Sequence, residues 1–185
     1  MRLVGRILLL VVLALVALFV VRCSGPAQFA PSLPQVVGLQ AVGDRLMILT
    51  GAPCPDVTRI VVSFRGNGDA PSRRAQLTAV TPTTVDQLAV GDEVAAPGFE
   101  TSEPLPAGFD WRDHAEMDVA FDGPDGAVGV ATSLLGPVED DGAKHEGDGT
   151  AYVRDEGWLT PAQIAAGDAK DFLAACTPDP AKTSD

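Results

Sequence analysis

The chain lacks every short motif that would assign it a chemistry. There is no G-x-x-x-x-G-K-[ST] and no G-x-G-x-x-G, so the glycine-rich backbones that cradle nucleotide phosphates are missing. There is no G-x-S-x-G nucleophile elbow. There is no C-x-x-C, which argues against a thiol–disulfide exchange enzyme. Histidine is scarce, with only His114 and His145. His145-Glu146 begins like a zincin motif, but Gly149 stands where the second histidine belongs, so no metal ligand set is expected. One Tyr and two Trp are too few for a long sugar-binding platform. Cations are scarce too. Thirteen Lys and Arg face 25 Asp and Glu, a formal charge of −12. Phosphate backbones would be repelled, which excludes nucleic acid as a partner. No cofactor is implied.

What the chain does have comes first in it. Ile7 to Val21, ILLLVVLALVALFVV, runs without a charge, after Arg2 and Arg6 and before Arg22. At 1.5 Å per residue this run reaches roughly 22 Å as a helix, short for a bilayer core of about 30 Å. It has the length of a signal-peptide apolar region. Counted from Leu3, with Arg6 snorkelling to the headgroups, it is long enough to span. The arginines before it fit an N-terminus held on the cytoplasmic side. Three fates compete: a retained anchor, signal-peptidase cleavage, or lipidation at Cys23. Val20-Val21-Arg22-Cys23 resembles a lipobox, departing from it at Arg22, where a small residue belongs. All three export the rest of the chain. The expected location is the cell membrane, single-pass with the C-terminal domain outside the cytoplasm, or else a lipoprotein or secreted form. The abundance of Arg over Lys, with Ala, Val and Gly, points to a GC-rich bacterial genome.

The exported part is more acidic than the whole, because removing the three leader arginines takes −12 to −15. Such a surface also disfavours anionic lipid headgroups. Cys54 and Cys176 remain in the body, near its two ends. In an oxidising compartment an even pair reads as a disulfide.

Domain organisation follows from composition. Residues 1–22 are the leader, 23–34 a Pro-rich tether, 35–176 an extracytoplasmic domain and 177–185 an acidic tail. Strands are expected at 35–41, 45–50, 57–65, 74–80, 115–121, 127–132 and 150–153, from apolar alternation and β-branched content. Leu46-Met47-Ile48-Leu49 is apolar on both faces and should lie centrally in a sheet. Asp122-Gly123-Pro124-Asp125-Gly126 should turn a hairpin. Pro53-Cys54-Pro55 and Thr81-Pro82-Thr83-Thr84 should end strands. Residues 97–106 and 139–149 read as loops. Ala-Val-Gly-Asp occurs at 41–44 and again at 89–92, as repeated use of a good turn or as a trace of duplication. Thr160-Pro161-Ala162-Gln163 is a capping box with Pro at the first helical position. Asp168 could cap a second short helix ending near Cys176, with Ile164, Phe172 and Leu173 facing the sheet. The expected fold is mainly β, an antiparallel sandwich or open barrel, with a short C-terminal helical segment and one N-terminal membrane or signal helix.

Two clusters could carry a function. Phe109-Asp110-Trp111-Arg112-Asp113-His114 gathers aromatic, guanidinium, carboxylate and imidazole groups. One reading is a recognition loop with Trp111 as a stacking platform and Asp110, Arg112 and His114 as polar contacts. The other is a loop whose aromatics plug the core. Glu139, Asp140, Asp141, Glu146 and Asp148 could offer oxygens to calcium, though not at EF-hand spacing, or form a solvated acidic loop. The leading expectation is a non-catalytic binding or assembly module of the bacterial envelope, held to the membrane by its N-terminal helix and meeting an envelope protein partner. The alternative is an envelope hydrolase using Asp or Glu with His114.

Overall fold

A computed structural model describes residues 32–68 and 70–181. The expected leader and Cys23 lie outside them. Among the described residues no helix is long and apolar enough to cross a membrane.

The longest apolar β-branched stretches become the two longest strands. β3 (Arg45–Gly66) and β4 (Arg73–Val90) form one extended antiparallel hairpin. Its two halves have different neighbours. The first half of β3 lies between β2 (Gly38–Val42) and the end of β4. The second half lies between β7 (His114–Gly123) and the start of β4. Central placement of the Leu46–Leu49 run is thus met, with Leu46 and Ile48 fully buried.

The change of neighbours occurs at a corner. From Leu49↔Gln87 to Cys54↔Val85, β3 advances by five residues and β4 by two. From Val57↔Thr83 to Arg59↔Thr78, β3 advances by two and β4 by five. Each strand carries its own excess, and such irregularities bend and twist a sheet. Pro53, Pro55 and Pro82 sit here, where pairing is already interrupted and a missing N–H costs little. The expected strand ends are therefore corrected to bends within continuous strands.

The remaining strands extend the two halves. On one side the order is β10 (Gly157–Leu159), β9 (Ala151–Val153), β2, β3, β4, β5 (Val94–Ala95). On the other, β8 (Gly126–Leu134) pairs β7, and β6 (Glu100–Glu103) pairs the start of β4. The β7–β8 hairpin turns where the sequence placed it. β6 falls within the expected 97–106 loop and corrects it: all four of its residues are exposed, so no apolar alternation marks the strand.

Inward residues from both halves share one buried cluster, among them Leu39, Leu46, Ile48 and Leu88 from one half and Ile60, Val62, Val119 and Phe121 from the other. A second, smaller cluster joins Val36, Ala151, Val153, Ile164 and Phe172. Residues Leu33–Pro180 form one compact unit.

Two local readings are corrected. The run from Glu139 is not all loop. It starts inside helix α1 (Gly136–Asp141), with Pro137 in its first turn and Val138 buried. The helix after Asp168 does not form. Helix α2 (Pro161–Gly167) has the expected capping box, with the Gln163 N–H donating to Thr160 Oγ1. Beyond it the chain turns and forms β11 (Leu173–Ala174), which runs parallel to β1 (Gln35–Val36). The Asp168 carboxylate accepts the Ala174 N–H and the Thr177 hydroxyl, both at 2.8 Å, and so organises a turn. Ile164, Phe172 and Leu173 are buried as expected. Cys54 and Cys176 form a disulfide with Cα atoms 5.2 Å apart.

Candidate binding cleft

The two Ala-Val-Gly-Asp segments end at the same pole of the sheet. In the first, Val42 pairs with Arg45 and leaves Gly43-Asp44 as a two-residue turn. Gly43 has φ of 57°, with no positive φ at Asp44, the pattern of a hairpin turn that wants glycine first. In the second, Val90 pairs with Val94 around a three-residue turn, where the Gly91 N–H donates to the Glu93 carbonyl at 3.0 Å. Leu46↔Val90 pairing sets the two turns side by side. The Arg45 stem lies across Gly91, where a Cβ would stand 3.3 Å from Arg45 Cγ.

The third wall is the loop leading into β7. Asp110 caps a 3-10 turn over Trp111–Asp113 by accepting the Arg112 N–H at 3.0 Å. Trp111 is buried, and its indole N–H donates to the Asp44 carbonyl at 3.3 Å. The Arg112 guanidinium covers the Trp111 ring at 4.6 Å. It donates to the Gly43 carbonyl at 3.1 Å and to Asp110 Oδ1 at 3.3 Å. Glu146 reaches the same turn from another loop and accepts the Gly43 N–H at 3.3 Å. The Gly43-Asp44 turn is thus held from two loops by Trp111, Arg112 and Glu146.

Between these walls lies an open cleft of about 770 Å³, bordered by Asp44, Arg45, Asp92, Glu93, Asp110 and Arg112, with Ala89, Ala95 and Phe109 as apolar parts. Among the described residues Arg45, Asp92 and Glu93 make no ion pair. They face the cleft free to meet a ligand. Arg112 and Asp110 are occupied with each other and with the turn.

The four expected contact residues separate. Asp110 and Arg112 border the cleft. Trp111 lines it from beneath, as a buried plug whose exposed face Arg112 takes, so it offers no open stacking platform. His114 stands behind the wall, 6% exposed, between Phe64 and Phe109 at ring distances of 5.7 and 5.1 Å. Its Nδ1 is 3.1 Å from the Asp110 carbonyl, which only accepts, so this bond needs the proton on Nδ1. Nε2 is then buried without a partner. The carboxylates of Asp110 and Asp113 make no hydrogen bond to His114. No local pattern marks Arg45, Asp92 and Glu93 as contacts, and the repeated Ala-Val-Gly-Asp is the one signal in the sequence that lies beside them.

The second acidic cluster disperses. Lys144 bonds Asp141 and holds its carboxyl below the usual carboxylate range, while Asp141 raises the Lys144 ammonium. Asp148 accepts the Thr150 hydroxyl at 2.6 Å and its N–H at 2.8 Å, which lowers the Asp148 pKa. His145 meets Asp148 at 2.9 Å and stacks on Trp158 at 4.0 Å. Burial raises the neighbouring Tyr152 hydroxyl. Among the described residues no three His, Cys, Asp or Glu side chains are placed to hold a metal ion. Compared with protein-family models, with curated proteins and with solved structures, the chain matches none.

Proposed function

We propose that this chain is a membrane-tethered module of the bacterial envelope, non-catalytic, which binds a protein partner in the cleft between the Gly43-Asp44 and Gly91–Glu93 turns. The observation that carries the reading is the position of that cleft. The chain enters the domain at β1, where the Pro34 carbonyl accepts the Leu173 N–H. It then runs through β2 to Val42, so the cleft lies at the far end of β2 from the point of entry. A domain hung from its N-terminus would present this pole outward. The leader supplies the tether, and the Cys54–Cys176 bridge suits an oxidising compartment outside the cytoplasm. The finer architecture proposed is a two-layer sandwich, supported by the single buried cluster that draws on both halves of the β3–β4 hairpin.

The alternative, hydrolysis by an acid with His114, needs a carboxylate meeting the imidazole in a cleft. His114 is walled off by Phe109 and bonded to a main-chain carbonyl, which favours binding over cutting.

The test places a photo-crosslinking residue at Asp92 or, as a control, at Gln76, in the full chain expressed in bacteria. An adduct with an envelope protein from position 92, absent from 76 and abolished by Glu93→Lys, is expected. No adduct, or the same adducts from both positions, overturns the reading. So does recovery of the chain from the cytosol with Cys54 and Cys176 alkylatable without reduction.

A further inference from the structure

Among the described residues four strands end the sheet, and they differ in how they are guarded. β5 and β10 have two and three residues. β6 begins and ends in glutamate. β8 is nine residues long, GAVGVATSL, and contains no charge and no proline, in a chain of formal charge −12. Long uncharged edges are templates for another strand, and proteins normally guard them.

The free edge of β8 can be located. The Leu135 N–H donates to the Ala115 carbonyl at 3.0 Å, so odd-numbered residues aim their main-chain groups at β7. Val130, Thr132 and Leu134 then aim theirs outward. β8 pairs only β7 among the described strands, and β1 runs close to it without pairing. The C-terminal segment covers the inward face instead, since a Cβ on Gly129 would meet the Ala175 carbonyl at 2.1 Å. Regular pairing runs from Gly129 to Leu134 and ends in an irregularity next to Val128.

Two of the three outward side chains on this edge are apolar, with Val130 50% and Leu134 38% exposed. The acids behind them are neutralised. Glu116 pairs with Arg65 at 2.6 Å and Arg154 at 3.5 Å. Asp118 lies 3.7 Å from Arg65 and accepts the Thr132 hydroxyl at 2.5 Å. Across the strands, Val61, Ala120 and Val130 form an apolar row in register.

We propose that β8 pairs with β8 of a second copy of this chain, antiparallel and centred on Thr132. That register uses all three outward residues and sets Val130 opposite Leu134 of the second copy. It adds roughly six main-chain hydrogen bonds and joins the two sheets. A second copy is the fitting occupant because two strongly acidic chains meet with little repulsion along a strip whose acids are already paired, and each copy supplies the same uncharged strand. A basic partner would gain nothing from an uncharged edge. The inference is independent of the cleft.

The test uses Thr132→Cys in the full chain in its native membrane, with a short bismaleimide linker, and the parent chain reports any linking through Cys23. Cys54 and Cys176 are occupied by their disulfide. A covalent dimer is expected, at least tenfold above that from Gln76→Cys on the opposite side of the hairpin. Adding Val130→Lys should abolish it at unchanged melting temperature. Absence of the dimer with the variant folded, equal linking at position 76, or linking that survives Val130→Lys overturns the proposal. Should Thr132→Cys fail to fold, Leu134→Cys mixed with Val130→Cys reads the same register, and no mixed dimer from that pair overturns it equally.

Discussion

Ala169 occupies the left-handed region with φ of 60°, where a side chain costs roughly 1–2 kcal/mol. The turn around it is over-determined. Its N–H donates to the Phe172 carbonyl at 2.8 Å, and Asp168 beside it holds Ala174 and Thr177. Glycine would remove the strain but lose about 0.5–1 kcal/mol to its freer unfolded chain. Ala169→Gly is therefore expected to stabilise by about 0.5–1 kcal/mol, seen as a melting temperature about 2 °C higher. A lower melting temperature would show that the methyl group earns its place through packing. Nothing in the sequence marks this position, because alanine there reads as helix. Asp148 gives a second prediction. Its carboxyl lies below the ordinary 3.8, first because it accepts the Thr150 hydroxyl. A depressed acid contributes stability above its unfolded pKa and loses it as pH falls through the folded value, so this loop should loosen only below about pH 4. Thr150→Val should move the Asp148 titration, followed by NMR, upward toward 3.8. An unmoved midpoint would assign the shift to the Thr150 N–H, which valine keeps, and to His145.

At the scale of elements, legibility followed burial on one face. The β7–β8 hairpin was readable because Met117, Val119 and Phe121 alternate with polar residues, and Gly123 and Gly126 flank the turn. The α2 capping box was readable because its signature is local. Thr160→Ala should cost about 1 kcal/mol by thermal or denaturant unfolding, since it removes the hydroxyl that accepts the Gln163 N–H, while the Thr160 N–H keeps its bond to the Gln163 side chain. β6 and β11 were not readable. The first has no buried face, and the second exists only because β1, far away in sequence, supplies its partner. The same dependence on distant chain makes Gly129 critical to β8. A methyl group there would collide with the Ala175 carbonyl and approach Cys176 Sγ at 2.8 Å. Gly129→Ala should destabilise by about 3 kcal/mol, the upper end for overpacking against main chain. A melting temperature within 2 °C of the parent would mean that the C-terminal segment yields cheaply.

For the whole molecule, the bridge was legible and the cleft was not, for one physical reason. Two cysteines left over in an exported body have a single simplest pairing. A cleft built from two turns and a third loop depends on pairing registers that no local pattern reports. The repeated Ala-Val-Gly-Asp turns hinted at its position but not at Trp111 and Arg112, which bind the third wall to the first. The bridge acts on the opposite pole. Cys54 sits in the corner of β3, Cys176 follows β11, and β11 holds β1 where the chain enters, so one covalent bond secures the bend, the end and the entry together. It closes a separation of 122 residues. Chain entropy gives about 4.7 kcal/mol for a loop of that order, as an upper figure. Replacing both cysteines by alanine should therefore lower the melting temperature by about 10 °C and speed hydrogen exchange at the Leu173 N–H, which the Pro34 carbonyl holds. The cleft lies at the other end of β2, so amides of Gly91–Glu93 should keep their exchange rates relative to the global unfolding limit. Equal acceleration at both poles would mean that the domain opens as one unit, and a melting temperature within 2 °C of the parent would mean that packing alone closes the fold.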